Sequence, residues 1–392
     1  MSVLERTAHA LIGAWLALAV IAAPATAEQA GKQAEAPREG WVRKTFDFGA
    51  EDLNFEAAVP ADASIETTEM KPREAGTFGR IMIVGKMYSA KTGVPLEITI
   101  KALDLTTPAV ASRVCARDAE TAGYTPRQRG ASLNFSNAEV FATKADGNRP
   151  IGGLFSRCMT RGNKMLVIHF LFDVSDLTDK DKRDSRTDQA KDFYETFISS
   201  IIFADGDTPG YRETLREIPV VIGTVKTTLG VPDVWQIPIN DFRGPLPAEL
   251  HLLRKNSSDQ ETGLLWLLVQ ERSEQPDLEK LGPTLISDYF IQQSPDAERP
   301  VLLLSGLRAY PDSRGVASHS FRFSTKNKAG EDIGEILATL FWHDGRLYVL
   351  SLWSRWSPAA DPNTFFSRLP GLTAYDLISA KLLRMMTEKA VP

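Results

Sequence analysis

The sequence has few of the residues from which catalytic and metal sites are most often built. Its 392 residues include only five histidines and two cysteines. No histidine belongs to an HExxH motif or lies near a second histidine or cysteine at ligand spacing, and the patterns Gly-x-Ser-x-Gly, Cys-x-x-Cys and Gly-x-Gly-x-x-Gly are absent. The sequence therefore predicts no catalytic residue, no metal and no cofactor.

One histidine has hydroxyl residues beside it in the sequence. His319 lies between Ser318 and Ser320, but adjacent residues of a strand point to opposite faces, so neither serine should meet its ring. We expect no histidine within about 3.2 Å of a Ser, Thr or Cys side chain that also faces a pocket.

An excess of positive charge and long apolar runs are also lacking. The formal net charge is −5, which predicts no nucleic-acid partner. The one long apolar run, Leu11 to Ala23, has about a dozen residues, whereas a membrane span needs about 20. It leads through Pro24 to the small-x-small site Ala25 to Ala27, which is typical of signal-peptide cleavage.

We therefore interpret residues 1–27 as a signal peptide, with a retained anchor as the alternative. Cleavage after Ala27 would leave a periplasmic or secreted protein, and no other run is long enough to span a membrane. An exported chain meets an oxidising compartment, where disulfides form and persist.

Cys115 and Cys158 are the two cysteines. Cys115 lies on an apolar stripe at helical spacing, and Cys158 lies in a segment that alternates like a strand. A helix packed on a sheet could bring them together as a disulfide. The alternative is two separate buried thiols, each serving as a small apolar residue.

The two halves of the chain share a pattern. The segment Phe141 to Ile168 aligns with Phe323 to Leu350 without a gap. Both segments read as apolar strands joined by a turn that contains glycine, as in a hairpin. Cys158 then corresponds to Leu340. Six aligned pairs are identical: Phe141 and Phe323, Thr143 and Thr325, Lys144 and Lys326, Ile151 and Ile333, Gly152 and Gly334, and Val167 and Val349.

Both halves also have the order strands, helix, hairpin, C-terminal helix. This order predicts an α+β protein of two tandem antiparallel-sheet domains with packed helices. The first half begins FDFGAEDLNFEAAVP, and its hairpin IGGLFSRCMTRGNKMLVIHF is followed by a Phe-rich last helix. These segments resemble the PsbP-like family, which includes a photosystem extrinsic subunit, a Ran-binding import factor and exported bacterial proteins.

We predict domain boundaries from the turn formers and from the patterns above. Residues 28–39 are a flexible leader, residues 40–204 the first domain and residues 219–388 the second. The linker is residues 205–218, which begin with Asp-Gly-Asp-Thr-Pro-Gly. The prolines at positions 219, 232 and 238 exclude a central strand there.

The resemblance implies a binding or assembly-accessory role rather than catalysis. A cluster of Trp353, Arg355 and Trp356 at a strand end suits a partner-binding surface, with core or rim packing as the alternative. We thus expect a non-catalytic exported protein of the bacterial cell envelope that binds a protein or a small ligand. The alternative is a hydrolase with its site in the cleft between the domains.

Overall fold

The computed structural model describes residues 38–49, 51–63, 67–70, 81–84, 96–105, 109–128, 132–134, 136–204, 215–256, 258–307, 316–355 and 364–387. The predicted signal peptide, most of the leader, most of the linker and Trp356 lie outside these residues.

The first half builds two antiparallel sheets. Its strands are β1 (Trp41–Phe46), β2 (Phe55–Pro60), β3 (Thr67–Met70), β4 (Ile81–Val84), β5 (Leu96–Asp104), β6 (Thr125–Gln128), β7 (Ser132–Asn134), β8 (Asn137–Asp146), β9 (Arg149–Arg161), β10 (Lys164–Asp173) and β11 (Ile202–Phe203). Strands β1, β2 and β11 form one sheet, and the larger sheet has the order β3-β4-β5-β10-β9-β8-β6, with β7 also paired to β8. Helix α1 (Ala111–Thr121) follows β5, and helix α2 (Lys180–Ser199) follows β10.

The second half builds a two-stranded ribbon and a second large antiparallel sheet. Its strands are β12 (Leu215–Ile222), β13 (Val225–Pro232), β14 (Gln236–Asn240), β15 (Ala248–Lys255), β16 (Glu261–Glu271), β17 (Val301–Leu307), β18 (Ala317–Lys326), β19 (Asp332–His343) and β20 (Arg346–Arg355). Strands β12 and β13 form a ribbon, and the larger sheet has the order β14-β15-β16-β20-β19-β18-β17. Helix α3 (Leu278–Gln293) follows β16, and helix α4 (Thr364–Thr387) follows β20. The α+β class with tandem antiparallel sheets is confirmed.

Each larger sheet is covered on both faces because its central strands are apolar on both faces. Strand β10 is buried at nearly every position, and its side chains enter two separate cores. Leu166, Ile168 and Phe170 pack under α2, whereas Met165 and Val167 pack under α1. In the second half α4 and α3 cover the two faces of the sheet in the same way.

The aligned hairpins have the same register in one strand pair and differ by one residue in the other. Cys158 lies opposite Val167 and Leu340 lies opposite Val349, as the alignment requires. However, Phe141 packs on the α2 side of its sheet, whereas Phe323 packs on the α3 side of the other. A slip of one residue exchanges the faces of a strand. The aligned identities of β8 and β18 are therefore not structural equivalents.

The loops explain this slip. Two residues, 147 and 148, join β8 to β9, but residues 327–331 join β18 to β19. Each strand pair also has a bulge beside its loop, at Lys144/Ala145 and at Thr325/Lys326. The longer loop in the second half is offset by shorter strand ends, so the two segments have the same total number of residues. An alignment without a gap therefore could not detect the difference.

The boundary of the second domain needs one correction. Residues 215–218, which we assigned to the linker, are the start of β12, and Ile218 is buried in the core with strands of the larger sheet. As predicted, the prolines lie away from central strands. Pro219 and Pro232 are in the two-stranded ribbon, and Pro238 is in the edge strand β14.

The two halves contact each other through helix α4. Leu369 packs into the core beneath α1, and Arg113 of α1 donates two hydrogen bonds of 2.7 Å to the carboxylate of Asp376. A paired bidentate contact of this kind is stronger than a single hydrogen bond and fixes orientation. Helix α4 therefore belongs to the second core and also caps the first.

The disulfide is predicted to stabilise the first half only. Cys115 on α1 and Cys158 on β9 form a disulfide with Cα atoms 5.7 Å apart, and both residues are fully buried. Because the bond closes a span of 43 residues, reduction should lower the free energy of unfolding by up to about 4 kcal/mol. We expect hydrogen exchange, followed by mass spectrometry with and without reductant, to accelerate in α1, β9 and β10. The sheet around Leu340 is the internal control, and equal acceleration there would contradict the prediction.

Candidate functional site

Of the predicted cluster, Trp353 lies in the core rather than on the surface. Trp353 is only 7% exposed, and its indole N–H donates a hydrogen bond of 3.1 Å to Thr325 Oγ1. Its ring packs beside Phe290 of α3, because the odd-numbered residues Leu347, Val349 and Trp353 of β20 face that helix. Arg355 is exposed at the end of the strand, and Trp356 lies outside the described residues. The assignment of Trp353 to a partner surface is therefore wrong.

The buried histidines hold helices against sheets. His169 Nε2 lies 2.6 Å from Asp118 Oδ2, and Lys101 Nζ lies 2.8 Å from the same oxygen. Because the carboxylate can only accept, the His169 Nε2 atom carries the proton and donates. Burial acts to raise the pKa of Asp118, but the hydrogen bond from His169 and the charges of Lys101 and His169 outweigh it and lower the pKa from 3.8 to about 2. This cluster ties α1 to β10.

A second histidine ties α3 to β15. His251 is buried rather than exposed, and its Nε2 atom bonds to Tyr289 Oη and to Glu249 Oε2. The Tyr289 hydroxyl also donates to Glu249 Oε2 at 2.9 Å, and its ring stacks on Trp266. Burial and the bond to Glu249 raise the pKa of Tyr289, so the hydroxyl keeps its proton. The His251 ring, the Tyr289 hydroxyl and the Glu249 carboxylate are thus hydrogen-bonded to one another.

The third histidine has a partner that the sequence did not indicate. Ser305 Oγ lies 2.7 Å from His319 Nε2, because β17 pairs with β18 and brings the two residues to diagonal positions. Our expectation concerned a pair that also faces a pocket, whereas this pair lies at the edge of the sheet, so the contact does not contradict it. As expected, Ser320 does not meet the ring and bonds to Thr339 instead. Within the described residues no carboxylate hydrogen-bonds to the His319 ring.

Among the residues that the structure describes, no three His, Cys, Asp or Glu side chains cluster as a metal site requires. No helix in the described ranges has both the length and the apolar composition that crossing a bilayer requires.

The most unusual surface of the described chain is the edge strand β17. Val301, Leu302, Leu303 and Leu304 are 55%, 42%, 52% and 66% exposed. Four consecutive exposed apolar residues on the edge of a sheet form a template for another strand, which soluble proteins usually avoid. We call residues Val301–Leu307 the β17 edge. This exposure could not be predicted from the sequence, because a short apolar run is more typical of a buried strand.

The other described edge strands of the two larger sheets contain a proline or are short. The opposite edge of the same sheet, β14, contains Pro238, and the edge strand β6 of the first sheet contains Pro126. Proline removes the N–H that a further strand would need. The remaining edge, β3, has only four residues. The β17 edge is therefore the long, proline-free and apolar one among the described edges of the two larger sheets.

Comparison with known proteins gives only distant likenesses. No family profile matches the sequence, and no curated protein matches it. Similar solved structures include cyanobacterial PsbP from Synechocystis sp. PCC 6803, at 11% identity over 45% of this chain and 95% of that one, with a TM-score of 0.31.

Two further structures are similar over different lengths. The Ran-binding protein Mog1p of Saccharomyces cerevisiae is 13% identical over 44% of this chain and 93% of its own, with a TM-score of 0.26. The di-domain ARO/CYC protein StfQ from the steffimycin biosynthetic pathway is 8% identical over 83% and 88%, with a TM-score of 0.15. PsbP and a Ran-binding protein are the two kinds of protein that the sequence resemblance named. At these scores none of the likenesses carries an argument about function.

The Asp118 cluster leads to a prediction about pH. Because the pKa of Asp118 is about 2 in the folded protein and 3.8 ordinarily, its contribution to stability is fully present above pH 3.8 and is lost as the pH falls toward 2. The contribution is about 2 kcal/mol. The variant Asp118→Asn should be less stable near pH 6 by about this amount and should depend less on pH between 4 and 2, as measured by urea unfolding.

The neighbouring acid Glu120 provides a control. It lies two residues further along α1, is 53% exposed and makes only a long contact of 3.7 Å with Arg117. The variant Glu120→Gln should keep the pH dependence of the original protein, since exposed ion pairs contribute little. Parallel curves for the original protein and Asp118→Asn would contradict the assignment.

Proposed function

We propose that this chain is a non-catalytic, exported protein of the bacterial cell envelope that binds a partner or assists its assembly through the β17 edge. The single observation that carries the proposal is the run of four exposed apolar residues on that edge. Exposed apolar patches and open strand edges are the two surface features that most directly favour association with another chain.

The size of the patch suits a transient association. The four side chains expose on the order of 400 Å², which is a typical largest patch for a monomer and about half of what each partner contributes to a standard interface. Stable complexes bury more. A surface of this size therefore fits a protein that binds and releases a partner, as an assembly-accessory protein does.

Export is supported by the N-terminal sequence and by the disulfide. The apolar run and the small-x-small site before Glu28 are typical of a signal peptide. The bond between Cys115 and Cys158 requires an oxidising compartment to persist. We therefore propose a periplasmic or secreted location, and we propose that the disulfide forms after export.

We further propose that the two halves are tandem copies of one PsbP-like module. The two larger sheets have corresponding strand orders. In each larger sheet one helix follows the third strand along the chain and another follows the last strand of that sheet. The register that β9 and β10 share with β19 and β20 supports the same proposal. The open edge β17 would then be a specialisation of the second copy.

A photo-crosslinking experiment tests the binding function. A photoreactive phenylalanine derivative would replace Leu302 in the exported full chain, and its adducts in the envelope fraction would be resolved by mass. We expect a discrete adduct with another envelope protein, and we expect Leu304→Lys to abolish it because a charged edge residue opposes strand pairing.

Position 225 supplies the matched control. Val225 is 44% exposed on the ribbon strand β13, so it has similar exposure away from the β17 edge. The same photoreactive residue there should give no discrete adduct. Equal adducts at both positions, or none at position 302, would reject the proposed binding function.

The second candidate function is a hydrolase, and one contact favours it. Ser305 Oγ and His319 Nε2 are 2.7 Å apart, which is the distance between a nucleophile and its general base. This pair lies at the edge of the second sheet rather than in a cleft between the domains. Under the binding proposal, the serine carries only the ordinary reactivity of a hydroxyl.

A fluorophosphonate probe separates the two functions. The probe labels a serine that a base has activated, so we expect no labelling of the full chain at Ser305. Labelling that disappears in both Ser305→Ala and His319→Gln, but not in Ser320→Ala, would instead establish the hydrolase. Ser320 is the suitable control because its hydroxyl bonds to Thr339 and not to the ring.

A further inference from the structure

We propose that the β17 edge binds an extended, uncharged segment of its partner as an additional strand, and that this segment carries an aromatic residue opposite Gly306. The inference rests on the proposed function, because it takes the β17 edge as the binding surface. It adds the chemical class of the partner and the residue that recognises it.

The backbone of β17 supports strand addition. Among the described residues β17 pairs with β18 on one side only, and it is the last strand in its sheet. In an antiparallel sheet, alternate residues direct N–H and C=O groups toward each neighbouring strand. An incoming strand would therefore gain main-chain hydrogen bonds, which supply affinity in this binding mode, while side-chain positions supply specificity.

The area of the edge argues against a second copy of the chain as the occupant. Two β17 edges paired with each other would bury on the order of 800 Å² from their apolar side chains, whereas stable interfaces bury about 1,200 to 2,000 Å². A self-pair would thus be weak. A peptide strand needs no such area, because it gains its hydrogen bonds from a row of backbone groups that is already rigid.

The charges near the edge favour an uncharged segment. None of the seven residues of β17 is charged. Arg322, which lies opposite Leu304, donates to the carboxylate of Glu335 at 2.6 and 3.2 Å. Arg299, just before the strand, pairs with Asp288 at 2.8 Å. Both cations already contact a carboxylate, although Arg322 shares Glu335 with Arg368, so the preference for an uncharged segment rests on the uncharged sequence of β17 itself.

Gly306 provides the feature that recognises a particular side chain. A glycine within a strand lowers stability unless another group uses the space that it leaves. Among the described atoms, none lies within 4 Å of the place where a Cβ of Gly306 would be. The residue opposite it in β18 is Ser320, which is small and whose hydroxyl bonds to Thr339. The space above Gly306 is thus left unfilled by the residues that the structure describes.

Leu304 forms one side of this space. Leu304 and Gly306 lie opposite Arg322 and Ser320 respectively, which are two residues apart on β18 and so share a face of the sheet. Leu304 is the most exposed apolar residue of the edge, at 66%. An aromatic ring that crosses from an added strand can cover a glycine and shield its backbone from water. Here the same ring would also cover Leu304.

A peptide titration tests the inference. The probe is a capped, uncharged peptide of nine residues in which threonine and valine alternate around a central phenylalanine. NMR would follow its binding to the protein without residues 1–27, with the disulfide between Cys115 and Cys158 formed. We expect the resonances of β17 to shift, and we expect at least tenfold weaker binding when alternate peptide nitrogens are methylated on one edge, because methylation removes the donors.

The role of Gly306 is tested by a double comparison. Replacing the phenylalanine of the peptide by alanine should weaken binding at least threefold in the original protein, but it should have no effect in Gly306→Val, where the new side chain fills the space. Leu304→Lys should abolish binding, whereas Val225→Lys, at the exposed position on β13, should not change it. Urea unfolding of each variant verifies that the fold is intact.

Four results would overturn the inference. These are equal binding of the methylated peptide, shifts located away from β17, no binding at millimolar peptide, and a self-association of the chain that Leu304→Lys abolishes. If crosslinking from position 302 still yields an envelope partner, the proposed function survives and only strand addition fails. If crosslinking fails as well, both are rejected.

Discussion

The architecture depends on one constraint, which is that the central strands of each larger sheet are apolar on both faces. Strands β10 and β20 are buried along almost their whole length, so each sheet needs a layer on either side to remove that surface from water. In each half one helix covers one face, and the other helix, together with a small sheet or ribbon, covers the other. The same constraint explains why α4 also contacts the first half, since Leu369 completes the core beneath α1.

Covering the faces leaves the edges to be protected in another way. A helix laid across the central strands touches the outermost strand without covering it: α3 contacts β17, but the side chains of Val301 to Leu304 stay open to water. Two of the four outer strands contain a proline, Pro126 and Pro238, and a third is short. Strand β17 has seven residues, no proline and no charge, and its pairing with β18 has a register shift between Leu302 and Leu304. Since proteins retain such an edge at the cost of a risk of aggregation, its persistence favours a use for it.

The sequence predicted the parts of this fold that local patterns determine. The stripe around Cys115 indicated α1, the alternation around Cys158 indicated β9, and the helix–sheet disulfide followed from those two elements. What the sequence could not supply was pairing between distant residues. The slip between β8 and β18 depends on loop geometry, and the contact of Ser305 with His319 depends on which strand lies beside β18. Trp353 was misassigned because composition alone does not tell which face of β20 meets α3.

The polar contacts of the described chain separate the binding proposal from the catalytic one. His169 and Asp118 join α1 to the first sheet, and His251 and Tyr289 join α3 to the second. Glu335 of β19 receives Arg368 of α4 at 3.1 Å, so a buried acid also links a helix to a strand. A general base must be able to exchange its proton with a substrate, whereas His169 and His251 are buried and hold a helix in place by their bonds. Ser305 and His319 instead join two neighbouring strands, β17 and β18, at the exposed apolar edge. Under the proposed function, a partner would meet this apolar row of backbone and side chains, and a row of open backbone groups suits an added strand.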